Sequence, residues 1–306
     1  MVLGSNVFNL AALLGLSAVV AGRIGLHRRV IALGGAVAMW VAAVCVLAVT
    51  GALPVVAGLV LAVAILAPYL ILLGTEGLRI ERLRLPRRWC TWLRSAVTEE
   101  EIELEGTIPA RIGRWPDAAA AAGALVVVVA ASVIMERAAS DLGGRYGVPQ
   151  IVVGGVVLAA VTSLPNAVAA VYLARRGRAA ATLSTALNSN TVNVVAGLLL
   201  PGVVVGLGRP TFQSALVTGW YAALTLAVIT VAYVRRGFSR WTGIAIIASY
   251  VAFAVTVVAS GLGVSGGSAL ITVPCLLAAV LFAIGTLHAT VDHKTPQGGQ
   301  QTGTVA

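Results

Sequence analysis

Apolar residues in this chain come in long blocks, with neither the alternation of a strand nor the one-sided stripe of a surface helix. Nine blocks stand out, at 2–22, 29–51, 53–73, 117–138, 150–174, 179–206, 212–234, 241–261 and 268–288. Each is close to the ~20 residues that a helix needs to cross the hydrocarbon core. In lipid a spanning backbone must satisfy its own hydrogen bonds, so such blocks form helices. The pattern predicts an all-α, polytopic transmembrane protein of about nine spans. Polar residues crowd into two of these blocks. The fifth holds Thr162, Ser163, Pro165 and Asn166, and the sixth holds Asn188, Ser189, Asn190, Thr191 and Asn193.

Composition agrees with a membrane protein. Hydrophobic residues make up 59% of the 306 and charged residues 10%, against about a quarter charged in soluble domains. The net charge of +10 does not point to nucleic acid, because the arginines mark one side of the membrane. The loop 75–116 carries Arg79, Arg82, Arg84, Arg87, Arg88, Arg94, Arg111 and Arg114, and the positive-inside rule assigns it to the cytoplasm. Alternation then places Arg23, Arg28 and Arg29 inside, with Arg175, Arg176 and Arg178, and with Arg235, Arg236 and Arg240. Outside loops hold little beyond Arg145 and Arg209. The reading is an integral protein of the plasma (inner) membrane, N-terminus outside and C-terminus cytoplasmic. Within the loop, 79–94 reads either as an interfacial helix on anionic lipid or as ordinary positive-inside flank. TEEEIELE (98–105) reads as a solvated acidic face, since EF-hand spacing is absent. Cys45, Cys90 and Cys275 are unclustered and form no disulfide framework or zinc motif.

The chain repeats itself. GSNVFN (4–9) in the first block matches NSNTVN (188–193) in the sixth, aligning Ser5 with Ser189, Asn6 with Asn190 and Asn9 with Asn193. The same ungapped offset pairs Gly22 with Gly206 and Gly35 with Gly219. Blocks one and six are an odd number of crossings apart, so the copies traverse the membrane in opposite directions. Inverted repeats characterise many secondary transporters, whose sites lie near the midplane and are built from discontinuous helices. Pro165 has no N–H and deprives the Val161 carbonyl of its helical partner. Ser, Thr and Asn side chains compete with the helical backbone. Both clusters therefore predict helix breaks presenting oxygen atoms, as a cation site requires. The plainer alternative is hydrogen bonding across packed helices. Pro68, Pro201 and Pro274 lack polar company and read as simple kinks.

TSLPN, a helix of small residues, ARRG and then NSNTVN together resemble the second alpha-repeat of the calcium/cation antiporter superfamily, which includes the sodium/calcium exchangers. GSNVFN resembles the closing half of the first repeat, and the intervening cytoplasmic loop also fits. The resemblance implies cation binding by Thr162, Ser163 and Asn166, by Ser189 and Asn193, and by Ser5 and Asn9. It implies no resident cofactor, only transported Ca2+, Na+ or H+. Two departures stand out. Asn166 occupies the position of the family's glutamate, and Asn188 that of a glycine. The first repeat is also represented only by its last three helices, which leads to the expectation that two further spans, or a partner subunit carrying them, precede Met1. The expected organisation is a partial first repeat at 1–74, a loop at 75–116, a second repeat at 117–262, an extra span at 263–290 and a disordered tail at 291–306.

Two functions follow. One is a secondary-active cation antiporter. The other is a degenerate, non-transporting relative that acts as a membrane partner or structural subunit. An enzyme is not expected: His27, His288 and His293 form no H-E-x-x-H motif, and no G-x-S-x-G is present. The expected partners are inorganic cations and the lipid bilayer.

Overall fold

The computed structural model describes residues 1–74, 86–105 and 115–263. The block at 268–288, the tail, Pro274 and the loop stretches 75–85 and 106–114 lie outside the described residues. The helices are α1 (Val2–Ala21), α2 (Arg28–Val49), α3 (Val55–Gly74), α4 (Arg87–Glu105), α5 (Trp115–Arg145), α6 (Gln150–Arg175), α7 (Ala181–Val205), α8 (Phe212–Arg235) and α9 (Arg240–Gly261). Seven of them, all but α4 and α5, are long and apolar enough to cross a membrane by length and composition. α5 contains the fourth apolar block. The protein is an all-α polytopic membrane protein.

Helix ends follow local chemistry. Gly22 and Gly206, one repeat offset apart, both adopt positive φ (76° and 84°) just past α1 and α7, a region that glycine enters without a Cβ penalty. α8 starts at a reciprocal cap between Thr211 and Ser214, and α9 at Ser239, whose hydroxyl accepts from the Thr242 amide.

The expected helix breaks take a different form. The backbone does not unwind at TSLPN: residues Ala159–Arg175 stay α-helical with Pro165 inside. Instead, α1, α6 and α7 each contain a π-helical stretch, at Leu10–Leu16, Val153–Leu158 and Val195–Leu199. Every stretch includes glycine (Gly15, Gly154 with Gly155, and Gly197), which weakens regular α-helix. The repeat offset lays the stretch in α1 over the one in α7. Such π-turns absorb an extra residue without exposing a run of bare backbone.

The contacts fix helix directions. Along α1, Gly4, Ser5, Asn9 and Ser17 meet Gly155, Thr162, Asn166 and Ala170 of α6 in rising order, so the two helices run parallel. Asn6 meets Asn193 while Asn9 meets Asn190. That order is reversed, so α1 and α7 cross antiparallel, as inverted copies must. The offset pair α2 and α8 also pack against each other. α1 is central, with 67% of its apolar window buried, whereas α3 is peripheral at 22%.

At one end of the bundle, β1 (Arg23–Gly25) pairs antiparallel with β2 (Gly237–Ser239). This seats the basic turn after α1 beside the basic turn between α8 and α9. α4 docks at the same end: Arg29 donates to Ser95 and to Glu99, the latter at 3.4 Å. The acidic stretch is therefore not wholly a solvated face, because Glu99 is paired with Arg29. The C-terminal half of α6 reaches this end too, through the bond from Ser17 to the Ala170 carbonyl. Among the described residues, the basic clusters at 23–29, 175–178 and 235–240 lie at this same end of the bundle.

Candidate functional site

The two polar clusters meet where α1, α6 and α7 cross, near the middle of α6 and α7. The centre is a reciprocal amide pair. Asn6 Nδ2 donates to the Asn190 carbonyl at 3.0 Å, and Asn190 Nδ2 donates to the Asn6 carbonyl at 2.9 Å. Those residues are 184 apart, the offset of the repeat. A second symmetric pair of bonds surrounds it. Asn9 Nδ2 donates to Asn190 Oδ1 at 3.0 Å, and its offset counterpart Asn193 Nδ2 donates to Asn6 Oδ1 at 3.1 Å. The amides obey a local two-fold relation, and the symmetry in sequence becomes a symmetry of hydrogen bonds. Asn6, Asn9 and Asn190 are buried, where an unpaired amide would cost about 1–3 kcal/mol.

α6 joins from one side. Asn166 Nδ2 donates to Asn9 Oδ1 at 2.8 Å. The hydroxyls of Ser5 and Thr162 lie 3.2 Å apart, and Thr162 also bonds back to the Leu158 carbonyl at 2.8 Å, within a segment that stays α-helical through TSLPN. Gly4 makes this approach feasible: a Cβ there would stand 2.1 Å from the Gly155 carbonyl oxygen. Ser163 is buried and Ser189 half-buried.

All seven residues singled out from sequence thus lie on α1, α6 and α7, and five of them join the network directly: Ser5, Asn9, Thr162, Asn166 and Asn193. Ser163 and Ser189 make no side-chain hydrogen bond among the described residues. Asn6 and Asn190 are the addition, since they form the centre and were read only as markers of the repeat. Their signal was the S-N-x-x-N match itself. Two tyrosines also belong here. Tyr69 Oη donates to Asn188 Oδ1 at 3.0 Å, so Pro68 is not without polar company. The Tyr221 hydroxyl is fully buried beside Asn6 and, among the described residues, lacks a well-aligned partner.

The chemistry available is that of neutral oxygen. Amide N–H groups point at other amides. The Oδ1 atoms of Asn166 and Asn193, the Ser163 and Ser189 hydroxyls and the Val161 carbonyl opposite Pro165 remain as acceptors. Among the described residues no group of three or more His, Cys, Asp or Glu gathers anywhere. A divalent ion stripped of water needs negative partners, with uncompensated burial costing tens of kcal/mol. A monovalent ion demands less.

Comparison with known proteins agrees with this geometry. Residues 118–259, which contain α6, α7, α8 and most of α9, match the sodium/calcium exchanger protein family. The chain is 30% identical over 109 residues to the sodium/calcium exchanger MaX1 of Methanosarcina acetivorans, a match covering 36% of this chain and 31% of that relative. The chain therefore spans about a third of that relative's length. No solved structure matches. An inverted pair of S-N-x-x-N helices locked through their asparagines, together with the match of residues 118–259 to the exchanger family, supports membership of the calcium/cation antiporter superfamily.

Proposed function

We propose that the protein is a secondary-active cation antiporter whose ion is held by neutral side-chain and backbone oxygens at the crossing of α1, α6 and α7. The observation that carries the reading is the reciprocal Asn6–Asn190 pair, which brings the polar faces of both repeats to one point near the middle of α6 and α7. The ligands are Thr162, Ser163 and Asn166 on α6, Ser189 and Asn193 on α7, and Ser5 and Asn9 on α1. Residues 1–74 and 117–262 act as the two repeats, rocking about the amide pair. The exchanger name of the archaeal relative supports sodium and calcium as candidate ions, with protons as the third. The site's neutrality favours a monovalent ion as the tighter ligand. The chain works as a carrier and not as an enzyme, in the plasma (inner) membrane with its arginine-rich loop in the cytoplasm.

One observation favours the second reading, a non-transporting partner or structural subunit: the central asparagines spend their hydrogen-bonding capacity on one another. Purified protein in sealed vesicles separates the two. An outward sodium, potassium or proton gradient should drive uptake of radioactive sodium or calcium. Absence of flux under every gradient, from protein that remains folded, establishes the partner reading. Cys90 tests the orientation, because an impermeant thiol reagent should label it only after permeabilisation.

A further inference from the structure

The end of the bundle that carries the paired strands holds a cavity of about 330 Å3, lined by Arg23, Arg235, Arg236, Ser239, Arg240 and Trp241 among others. That volume lies within the range of small-molecule sites, about 300–1,000 Å3. Among the described residues no acidic side chain lines it. The four guanidinium groups come from three places in the sequence: the turn after α1, the end of α8 and the start of α9. The β1–β2 register brings them together by pairing Arg23 with Ser239. The positive-inside rule accounts for arginines on this side of the membrane. It does not account for their convergence on a concavity, where like charges repel.

The backbone supplies an independent observation. Arg236 is the one non-glycine residue with positive φ among the described residues, at 54°. A left-handed residue at a helix end is usually glycine, and a glycine follows immediately. Gly237 is itself indispensable, because a Cβ there would lie 1.9 Å from the Ile24 carbonyl oxygen. The chain accepts an unfavourable conformation at Arg236 that keeps a charged side chain beside the cavity, and such strain concentrates at functional sites. The first turn of α9 opens at the same place, adding the positive end of a 22-residue helix. Half-exposed Trp241 sits at the rim, the position of an interfacial aromatic anchor.

We propose that this cavity is a phosphate-binding site that takes the phosphodiester headgroup of an anionic lipid from the leaflet on this side. Guanidinium groups recognise phosphate oxygens through paired N–H donors. The cavity lies at the end of the spans, level with headgroups, and a tryptophan at its rim suits a ligand with an acyl tail. A free phosphate shares the same chemistry and is the other source.

The test uses the full-length protein in neutral detergent, titrated with phosphatidylglycerol, with phosphatidylcholine or with inorganic phosphate, and read by native mass spectrometry. Phosphatidylglycerol adducts should persist where phosphatidylcholine adducts do not. Arg235→Gln should weaken retention about fivefold, from roughly 1 kcal/mol per basic residue at an anionic surface. Arg236→Gly is the sharper variant. It relieves the positive-φ strain, so thermal stability should hold or rise while retention falls about fivefold. Arg209→Gln, at the opposite end, should change neither. Inorganic phosphate that binds, depends on Arg235 and Arg236, and is not displaced by phosphatidylglycerol keeps the phosphate site and rejects the lipid source. Equal retention by Arg236→Gly and the unmodified protein overturns the proposal, as does a loss from Arg209→Gln as large as that from Arg235→Gln.

Discussion

α1 and α7 carry the same S-N-x-x-N pattern and cross through it, but they live in different surroundings. Buried residues make up 67% of the apolar window of α1 and 33% of that of α7. α6 covers the polar side of α1, with Gly4 against the Gly155 backbone, Ser5 on Thr162 and Ser17 on the Ala170 carbonyl. On α7 the counterparts are Asn188, Ser189 and Pro201. Asn188 takes a bond from Tyr69, Ser189 bonds to nothing among the described residues, and proline has no N–H to offer. The comparison separates two demands on a repeated motif. The asparagines that lock the copies together must match, because each amide is the other's partner. The residues facing outward from the lock answer only to their own neighbours, so a packing glycine in one copy becomes an asparagine in the other.

Position 4 should break the comparison most severely. Gly4→Val puts a side chain into the Gly155 carbonyl, a backbone atom that cannot step aside. The cost should exceed the ~1–3 kcal/mol typical of overpacking, and size-exclusion chromatography in detergent should find little monodisperse protein. Asn188→Ala, the counterpart, meets no such steric block; removing the bond from Tyr69 should cost about 0.5–1.5 kcal/mol. Similar losses at the two positions would remove the claimed asymmetry.

The lock itself is next. Asn6→Ala or Asn190→Ala alone leaves buried amides and carbonyls without partners, at about 1–3 kcal/mol. The double substitution should cost less than the sum. Coupling energies between membrane helices run to about 0.6–1.7 kcal/mol, above the ~0.3–0.5 kcal/mol scatter of independent sites. Additivity in a thermal-unfolding cycle would show that the bonds contribute nothing net.

A charge introduced at position 166 should break the symmetry next. Asn166→Glu adds a carboxylate beside Asn9, in a place where every described polar partner is neutral. Calcium affinity, measured by equilibrium binding to purified protein, should rise at least tenfold, about 1.4 kcal/mol, with a smaller gain for sodium. An unchanged preference in a folded variant excludes Asn166 from the site.

The span boundaries were legible because hydrocarbon thickness imposes a length that composition displays. The seven spans recovered agree with the apolar blocks to within two residues at each end, α7 for example running Ala181–Val205 against 179–206. The inverted relation was legible too, through the glycine and asparagine matches. The π-turns were not, since one extra residue per turn leaves no mark on hydropathy. Pro165 drew attention to the wrong turn, because the α-geometry continues through it from Ala159 to Arg175. The pairing of Glu99 with Arg29 was hidden for another reason. It joins α4 to α2 across 70 residues of sequence, and a run of glutamates looks the same whether or not one of them is paired. Asn6 and Asn190 were visible as a match, but their mutual bonding depends on the crossing of two helices.

The smallest effect carries the finest distinction. Ser5→Ala removes the contact with Thr162 and should cost about 0.6 kcal/mol, the average for a hydrogen bond between membrane helices. Ser189→Ala removes no bond among the described residues, so its stability should stay within about 0.5 kcal/mol of the unmodified protein. The two serines should part company in the opposite sense on ion binding. Ser5 already spends its hydroxyl on α6, while Ser189 keeps its oxygen free next to the lock. A ligand hydroxyl held free of protein bonds loses cation affinity when deleted, without destabilising the fold. Severalfold weaker sodium binding in Ser189→Ala, with an unshifted unfolding midpoint, assigns that oxygen to the ion. If binding and stability are both unmoved, Ser189 is an unused relic of the repeat and its oxygen is not a ligand.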